Sequence, residues 1–327
     1  MKLATYDDGS IDGRLLIVTK DGGRAVATSA VAPNLLTALQ RWRVCETPLQ
    51  RLADELEVGK AAGAFAFEPA KCLAPLPRAP QWCDGSAFLN HGRLMAQALK
   101  HEPIPDFETV PVVYQGASDD FLGPHADVPF VSEDGGIDFE GEFGVVVDQV
   151  EMGTTPAEAA RSIRLIVQLN DWSLRTIAMR EVRTGFGFLQ SKPSSSFAPV
   201  AVTPDELGPA WRDERVHMNL HIGLNGKRIG SADGGEMAFS FAQLIAHCAA
   251  TRELKAGTII GSGTVSSADR ASGSSCLAEV RIIEVIETGE ARTPYLKFGD
   301  RVEMQARFSD GREGPFGRID QRVIAAR

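Results

Sequence analysis

The sequence predicts an α+β, β-rich fold in which a small N-terminal α/β unit, residues 1–75, precedes a larger strand-rich domain, residues 76–327. Three observations carry this. Pro75, Pro77 and Pro80 fall within six residues, and a run so poor in backbone donors marks an extended boundary. Beyond it, the apolar runs are short and separated by turn residues. They do not alternate regularly with helical patterns, which disfavours a doubly wound or parallel-barrel architecture.

Within the first unit, Arg14–Thr19 reads as a strand and Asp21-Gly22-Gly23 as the turn that folds it into a hairpin. After Pro33, the helical spacing of Leu35, Leu36, Leu39 and Trp42 predicts one helix, and Leu49, Leu52 and Leu56 a second. In the larger domain Phe143–Val147 reads as a buried strand. Leu165–Leu169 fits a helix end or a strand start equally well. Asn225-Gly226 supplies the two positive-φ positions of a type I′ hairpin turn, and Ser240 caps a helix through His247. Further strands are expected at Thr258–Ile260 and at Leu277–Ile286.

Composition sets limits on partners. The 327 residues hold 43 acidic and 34 basic side chains, a net charge of −9. A surplus of this sign argues against a general nucleic-acid binder and against charge-driven attachment to anionic membranes. No apolar stretch approaches the ~20 residues of a membrane span. The opening residues reach Asp7 and Asp8 before any apolar run develops, unlike a signal peptide. Five cysteines form no C-x-x-C pair and leave one over, so the expected setting is a reducing one, the cytoplasm.

Chemistry is suggested by carboxylates. On a continuous strand Asp138, Glu140 and Glu142 would share one face, and their mutual repulsion calls for solvent, a proton or a cation. Taken alone, such a run reads as a solvated strand face. Oxygen-only ligands would suit a hard ion, Mg²⁺ or Ca²⁺. Asp171 follows the Leu165–Leu169 run and by itself reads as a helix cap. If residues 84–91 were helical, Asp84 and His91 would lie on one face about 10 Å apart; in isolation they read as a cap and a surface histidine.

Together these segments form an ordered set that resembles the fumarylacetoacetate hydrolase family. The matching pieces are Asp84 with His91, Val113-Tyr114-x-Gly116, Asp138-x-Glu140-x-Glu142, Asn170-Asp171-Trp172-Ser173-x-Arg175, and Lys192 after Phe188-Leu189. Met237-x-Phe239-Ser240, the Gly257–Thr264 segment and Gly273–Glu279 follow in the same order, so the similarity covers roughly residues 76–327.

The resemblance implies a mixed β-sandwich roll behind a smaller N-terminal domain, assembled as a homodimer. It implies Asp84, Glu140, Glu142 and Asp171 as ligands of Mg²⁺ or Ca²⁺, with Mn²⁺ also accommodated. It implies His91 as general base, Glu279 as the acid that orients it, and Lys192 as a catalytic cation. Tyr114, Lys100 and Thr264 fall at substrate-contact positions. The implied reaction is hydrolysis of a carbon–carbon bond in a small β-diketo acid, fumarylacetoacetate of phenylalanine and tyrosine breakdown first among them. An acylpyruvate hydrolase, or a 2-keto acid decarboxylase or hydratase, would use the same site.

Two departures bear on the substrate. The stretch Thr176–Arg183 lacks the glutamine and tyrosine that contact substrate in fumarylacetoacetases, and Lys100 stands where the family has an arginine, without its bidentate fork. Gly261-Ser262-Gly263-Thr264 superficially resembles a phosphate-cradling loop, yet no apolar-periodic helix opens behind it, so it reads as a turn lining the substrate site.

Overall fold

The computed structural model describes residues 1–99 and 105–326. The chain opens with β1 (Lys2–Tyr6), β2 (Arg14–Val18) and β3 (Arg24–Ala27), an antiparallel meander. Its second turn is closed by the Asp21 carboxylate, which accepts the Gly23 N–H at 2.9 Å. Helix α1 (Leu35–Gln40) starts at Asn34, whose side chain accepts the Thr37 N–H at 2.8 Å. Helix α2 (Trp42–Glu57) and strand β4 (Phe65–Ala66) follow. Leu35, Leu39, Trp42, Leu49 and Leu56 are buried, the helical stripe that the sequence predicts.

The larger region runs through β5 (Trp82–Gly85), α3 (Leu89–Leu99), β6 (Val113–Gln115), β7 (Val128–Phe130), β8 (Ile137–Asp138) and β9 (Gly141–Val147). Next come α4 (Pro156–Ala159), β10 (Ile163–Asn170), β11 (Ser173–Leu174), α5 (Arg175–Thr184), β12 (Ser196–Phe197) and β13 (Val200–Val202). Strands β14 (Trp211–Arg212), β15 (Arg215–Val216), β16 (Asn219–Leu224) and β17 (Lys227–Asp233) precede α6 (Phe241–Cys248). The chain closes through β18 (Ile259–Gly261), α7 (Leu277–Thr288), β19 (Arg301–Arg307) and β20 (Glu313–Ala325).

Eleven strands form one sheet in the order β4-β3-β2-β1-β13-β10-β9-β18-β5-β6, with β12 paired to β10. The N-terminal meander thus continues the sheet of the larger region, Leu3 of β1 pairing with Ala201 of β13. The central strand β9 is buried along its whole length, as expected where both faces are covered. Val146 joins Leu165, Val167 and the residues of α1 and α2 in one apolar cluster. Its neighbours Val145 and Val147 join the other, with Leu220, Ile222, Val302 and Met304 of a five-stranded sheet ordered β17-β16-β19-β20-β7.

The Asn225-Gly226 turn joins β16 and β17 with φ of 52° and 75°, and a Ser240–Gln243 capping box starts α6. The run Leu165–Leu169 is strand. The segment Leu277–Ile286, expected as a strand, is instead helix α7. Cys276 accepts the Glu279 N–H at its start, and Gly289 ends it with φ of 86°. Among the described residues no helix is long and apolar enough to cross a membrane.

Candidate active site

Four carboxylates converge from β5, from β9 and the residue before it, and from just past β10, strands that lie in the order β10-β9-β18-β5 in the large sheet. Asp84, Glu140, Glu142 and Asp171 each bring an oxygen within 4.8 Å of the others, and all four are buried. Asp84 lies on β5, which pairs in parallel with β18, Asp84 opposite Gly261. Its Oδ1 accepts the Gly263 N–H at 3.0 Å. A side chain at Gly261 would strike that carboxylate, since a Cβ there would lie 2.2 Å from Oδ1. The Gly261–Thr264 turn therefore serves a protein carboxylate rather than a phosphate.

Asp138, Glu140 and Glu142 do not share a strand face. Pairing breaks between β8 and β9, and Glu140 sits in the break with its N–H donated to Asn170 Oδ1 at 3.0 Å. This turns Asp138 away from the cluster. Its Oδ1 accepts the N–H of Leu277 at 2.8 Å, and its Oδ2 accepts Ala278 N–H at 2.9 Å and Arg175 Nε at 2.8 Å. Asp138 caps α7. Arg175, whose role the sequence left unassigned, pairs in turn with Glu140 at 2.6 Å.

Lys192 Nζ donates to Glu140 and to Asp171, both at 2.6 Å. Ser195 donates to Asp171 at 2.8 Å, and the Tyr114 hydroxyl donates to the same carboxylate. The loop delivering Lys192 is gathered by Glu181, which accepts the N–H groups of Leu189, Gln190 and Ser191 at 2.9–3.1 Å. Neither Ser195 nor Glu181 carried a sequence signal.

The electrostatics are lopsided. Burial works against the Glu140 charge, but Lys192 and Arg175 outweigh it and hold its carboxyl below the usual range. Burial, then the Asp171 charge, pushes Asp84 well above that range. Burial, then Asp84, does the same to Glu142. Both Glu142 oxygens are buried without a hydrogen-bond partner. With all four ionised, Lys192 and Arg175 leave a deficit of two positive charges in a dry site, which protons on Asp84 and Glu142 or a bound cation must fill. A hard divalent cation matches that deficit and the all-oxygen ligand set.

Asp84 and His91 do not share a helix: Asp84 is on β5, and His91 lies in the first turn of α3. His91 Nδ1 faces Glu279 Oε2 at 3.4 Å. Glu279, in the first turn of α7, accepts Ser266 Oγ at 2.7 Å, and Asn90 donates to Ser266 at 2.8 Å. His91 and Arg175 line a cavity of about 810 Å³ walled by α3, α5 and α7. Ala178, Met179 and Val182 give it an apolar flank, and Arg93, Arg183 and Arg281 also border it. Thr264 is buried beside Gly263 and makes no polar contact with the cluster among the described residues. Lys100 lies outside the described residues.

With this geometry in place, comparison with known proteins decides the family. Residues 81–324 match the model of the fumarylacetoacetate (FAA) hydrolase C-terminal domain, and residues 1–78 match fumarylacetoacetase N-terminal domain 2. The chain belongs to the fumarylacetoacetate hydrolase family. It is 26% identical over 227 residues to a 2,4-didehydro-3-deoxy-L-rhamnonate hydrolase from Sphingomonas sp. strain SKA58, covering 65% of this chain and 69% of the relative. Maleylpyruvate hydrolase from Sphingobium sp. SYK-6, solved with manganese(II) and pyruvate, superimposes with a TM-score of 0.66 over 100% of both chains at 14% identity. A 5-carboxymethyl-2-hydroxymuconate delta-isomerase from Mycobacterium smegmatis superimposes with a TM-score of 0.61, again over 100% of both chains, at 17% identity. The family membership makes this chain an enzyme of the hydrolase and isomerase type.

Proposed function

We propose that this protein is a divalent-metal-dependent hydrolase that cleaves a carbon–carbon bond of a β-diketo acid. One observation carries the reading: Asp84, Glu140, Glu142 and Asp171 form a buried all-oxygen cluster, with both Glu142 oxygens unpartnered, that lacks two positive charges when fully ionised. Asp84, Glu140, Glu142 and Asp171 would hold Mg²⁺, Ca²⁺ or Mn²⁺. A bound ion of this kind supplies Lewis acidity toward the oxygens of a chelating substrate.

The chain's own residues supply the rest. Glu279, fixed by Ser266, orients His91 through Nδ1 and leaves Nε2 for proton transfer. His91 takes a proton from water as that water adds to the substrate carbonyl. The carbon–carbon bond then breaks, and the departing enolate carbon takes back a proton. Burial disfavours the Lys192 charge, but Asp171 and Glu140 outweigh it and keep the ammonium protonated. Held beside the carboxylate cluster, Lys192 would supply a fixed positive charge to a developing enolate oxygen. Arg93, Arg183 and Arg281, which border the same cavity, would suit a substrate carboxylate.

Fumarylacetoacetate is the first substrate to test. The apolar flank of Ala178, Met179 and Val182 favours a second candidate, an acylpyruvate with an apolar acyl chain. A panel of diketo acids assayed by loss of diketone absorbance, with product identification, tests both. Two carboxylic acid products and complete dependence on added Mg²⁺ or Mn²⁺ are expected. Carbon dioxide release, or an intact carbon skeleton, would overturn hydrolysis in favour of decarboxylation, hydration or isomerisation.

A further inference from the structure

A second group of ligand-type side chains lies behind His91, which lines the cavity. His91, Cys276 and Glu279 each place a candidate ligand atom within 4.8 Å of the other two. The set differs in kind from the carboxylate cluster, since it offers imidazole, thiol and a single carboxylate. We infer that His91, Cys276 and Glu279 form a second metal site, which takes a borderline-soft ion such as Zn²⁺ in preference to Mg²⁺ or Ca²⁺.

The geometry suits such an ion. Bonds of about 2.0–2.3 Å in a tetrahedral site set neighbouring ligand atoms roughly 3.3–3.6 Å apart. His91 Nδ1 and Glu279 Oε2 are 3.4 Å apart, long for a hydrogen bond but within that spacing. Glu279 is held by Ser266, the kind of outer contact that fixes a metal ligand. Cys276 Sγ is anchored at the start of α7, accepting the Glu279 N–H at 3.4 Å. His91 is part-exposed to the cavity, which gives an ion its entry path and leaves a fourth coordination position open.

Binding forms a sulfur–metal bond and releases the Cys276 thiol proton to solvent; nothing is oxidised. Burial raises that thiol well above its ordinary value, so zinc must displace a proton that a hard ion would leave in place. An ion here engages His91. On the function proposed above it would therefore inhibit turnover, although the binding itself does not depend on that function.

Metal-free protein loaded with Co²⁺ in the presence of excess Mg²⁺ tests the site. A thiolate-to-cobalt charge-transfer band is expected, because the carboxylate cluster contains no sulfur. Zinc should abolish the band. Cys276→Ser, which keeps a capping atom at the helix start, should remove it and weaken zinc binding by more than the roughly 10–100-fold typical of losing an outer-shell partner. His91→Ala, read in the same assay, covers the case in which the serine variant does not fold. A cobalt spectrum free of sulfur bands in the wild-type protein, or unchanged zinc affinity in both variants, would overturn the site. Loss of the band without any effect of zinc on turnover would instead count against the function proposed for His91.

Discussion

Fully buried Asp138 and part-buried Arg175 form an ion pair, Nε to Oδ2 at 2.8 Å, that joins the two halves of the candidate active site. Through Arg175 the pair reaches Glu140 of the carboxylate cluster, and through the Leu277 and Ala278 N–H groups that Asp138 accepts it fixes the turn carrying Glu279. Asp138→Asn removes the charge and turns an acceptor into a donor facing donors. We expect a stability loss of about 3–5 kcal/mol, the scale of breaking a buried pair from one side. Chemical denaturation with metal present measures this, and a loss below 1 kcal/mol would contradict the assigned role.

Glu142→Gln is expected to act with opposite signs with and without metal. In metal-free protein, folding must bring a proton onto the buried Glu142 carboxyl; glutamine removes that requirement, and stability near neutral pH should rise by about 1–3 kcal/mol. The stabilisation by Mg²⁺, about 2.7 kcal/mol for the wild type at a hundredfold excess over Kd, should disappear. Thermal melts with chelator and with Mg²⁺ read both effects.

The pH dependence of the metal-free protein follows from the same burial. Asp84 and Glu142 have folded-state values well above those of the unfolded chain, about 4. The folded state therefore holds more protons, and stability falls as pH rises through the raised values. Between about pH 5 and 8 the melting temperature with chelator should decline for this reason, and saturating Mg²⁺ should flatten the decline. A metal-free melting temperature that climbs with pH would refute the assignment.

His91→Ala should lower kcat by about 10²–10⁴-fold, the usual contribution of a general base. Metal-dependent stabilisation should persist, because His91 is not among the four carboxylates. Glu279→Gln should lower kcat less and shift its pH profile. Equal loss of activity and of metal stabilisation in His91→Ala would indicate a folding defect instead.

Much of the fold was legible in local chemistry. Asn225-Gly226 and Ser240 dictate a turn and a helix start from single residues, whatever surrounds them. The segment Leu277–Ile286 was not legible in this way, because Val280, Ile282, Ile283 and Val285 favour strands and tertiary packing overrode that preference. The signal was present: Glu279 lies three residues after Cys276, and Gly289 stands at the far end. Reading a strand there hid the helix N-terminus that Asp138 satisfies, which left Asp138 grouped with the carboxylates instead. The four converging carboxylates entered through family resemblance, since Asp84 and Asp171 come from strands far apart in sequence. Ser195, Ser266 and Glu181 act through contacts that no local spacing encodes.

The pairing of β1 with β13 also constrains how the chain reaches its native state. During synthesis the N-terminal meander emerges with one edge bare, and its partner strand follows only about two hundred residues later. An unpaired edge of this kind recruits other chains, and so distant a contact slows productive folding. The interval between the two strands is therefore when the nascent protein is most exposed to misassembly, and when a chaperone would contribute most to its yield.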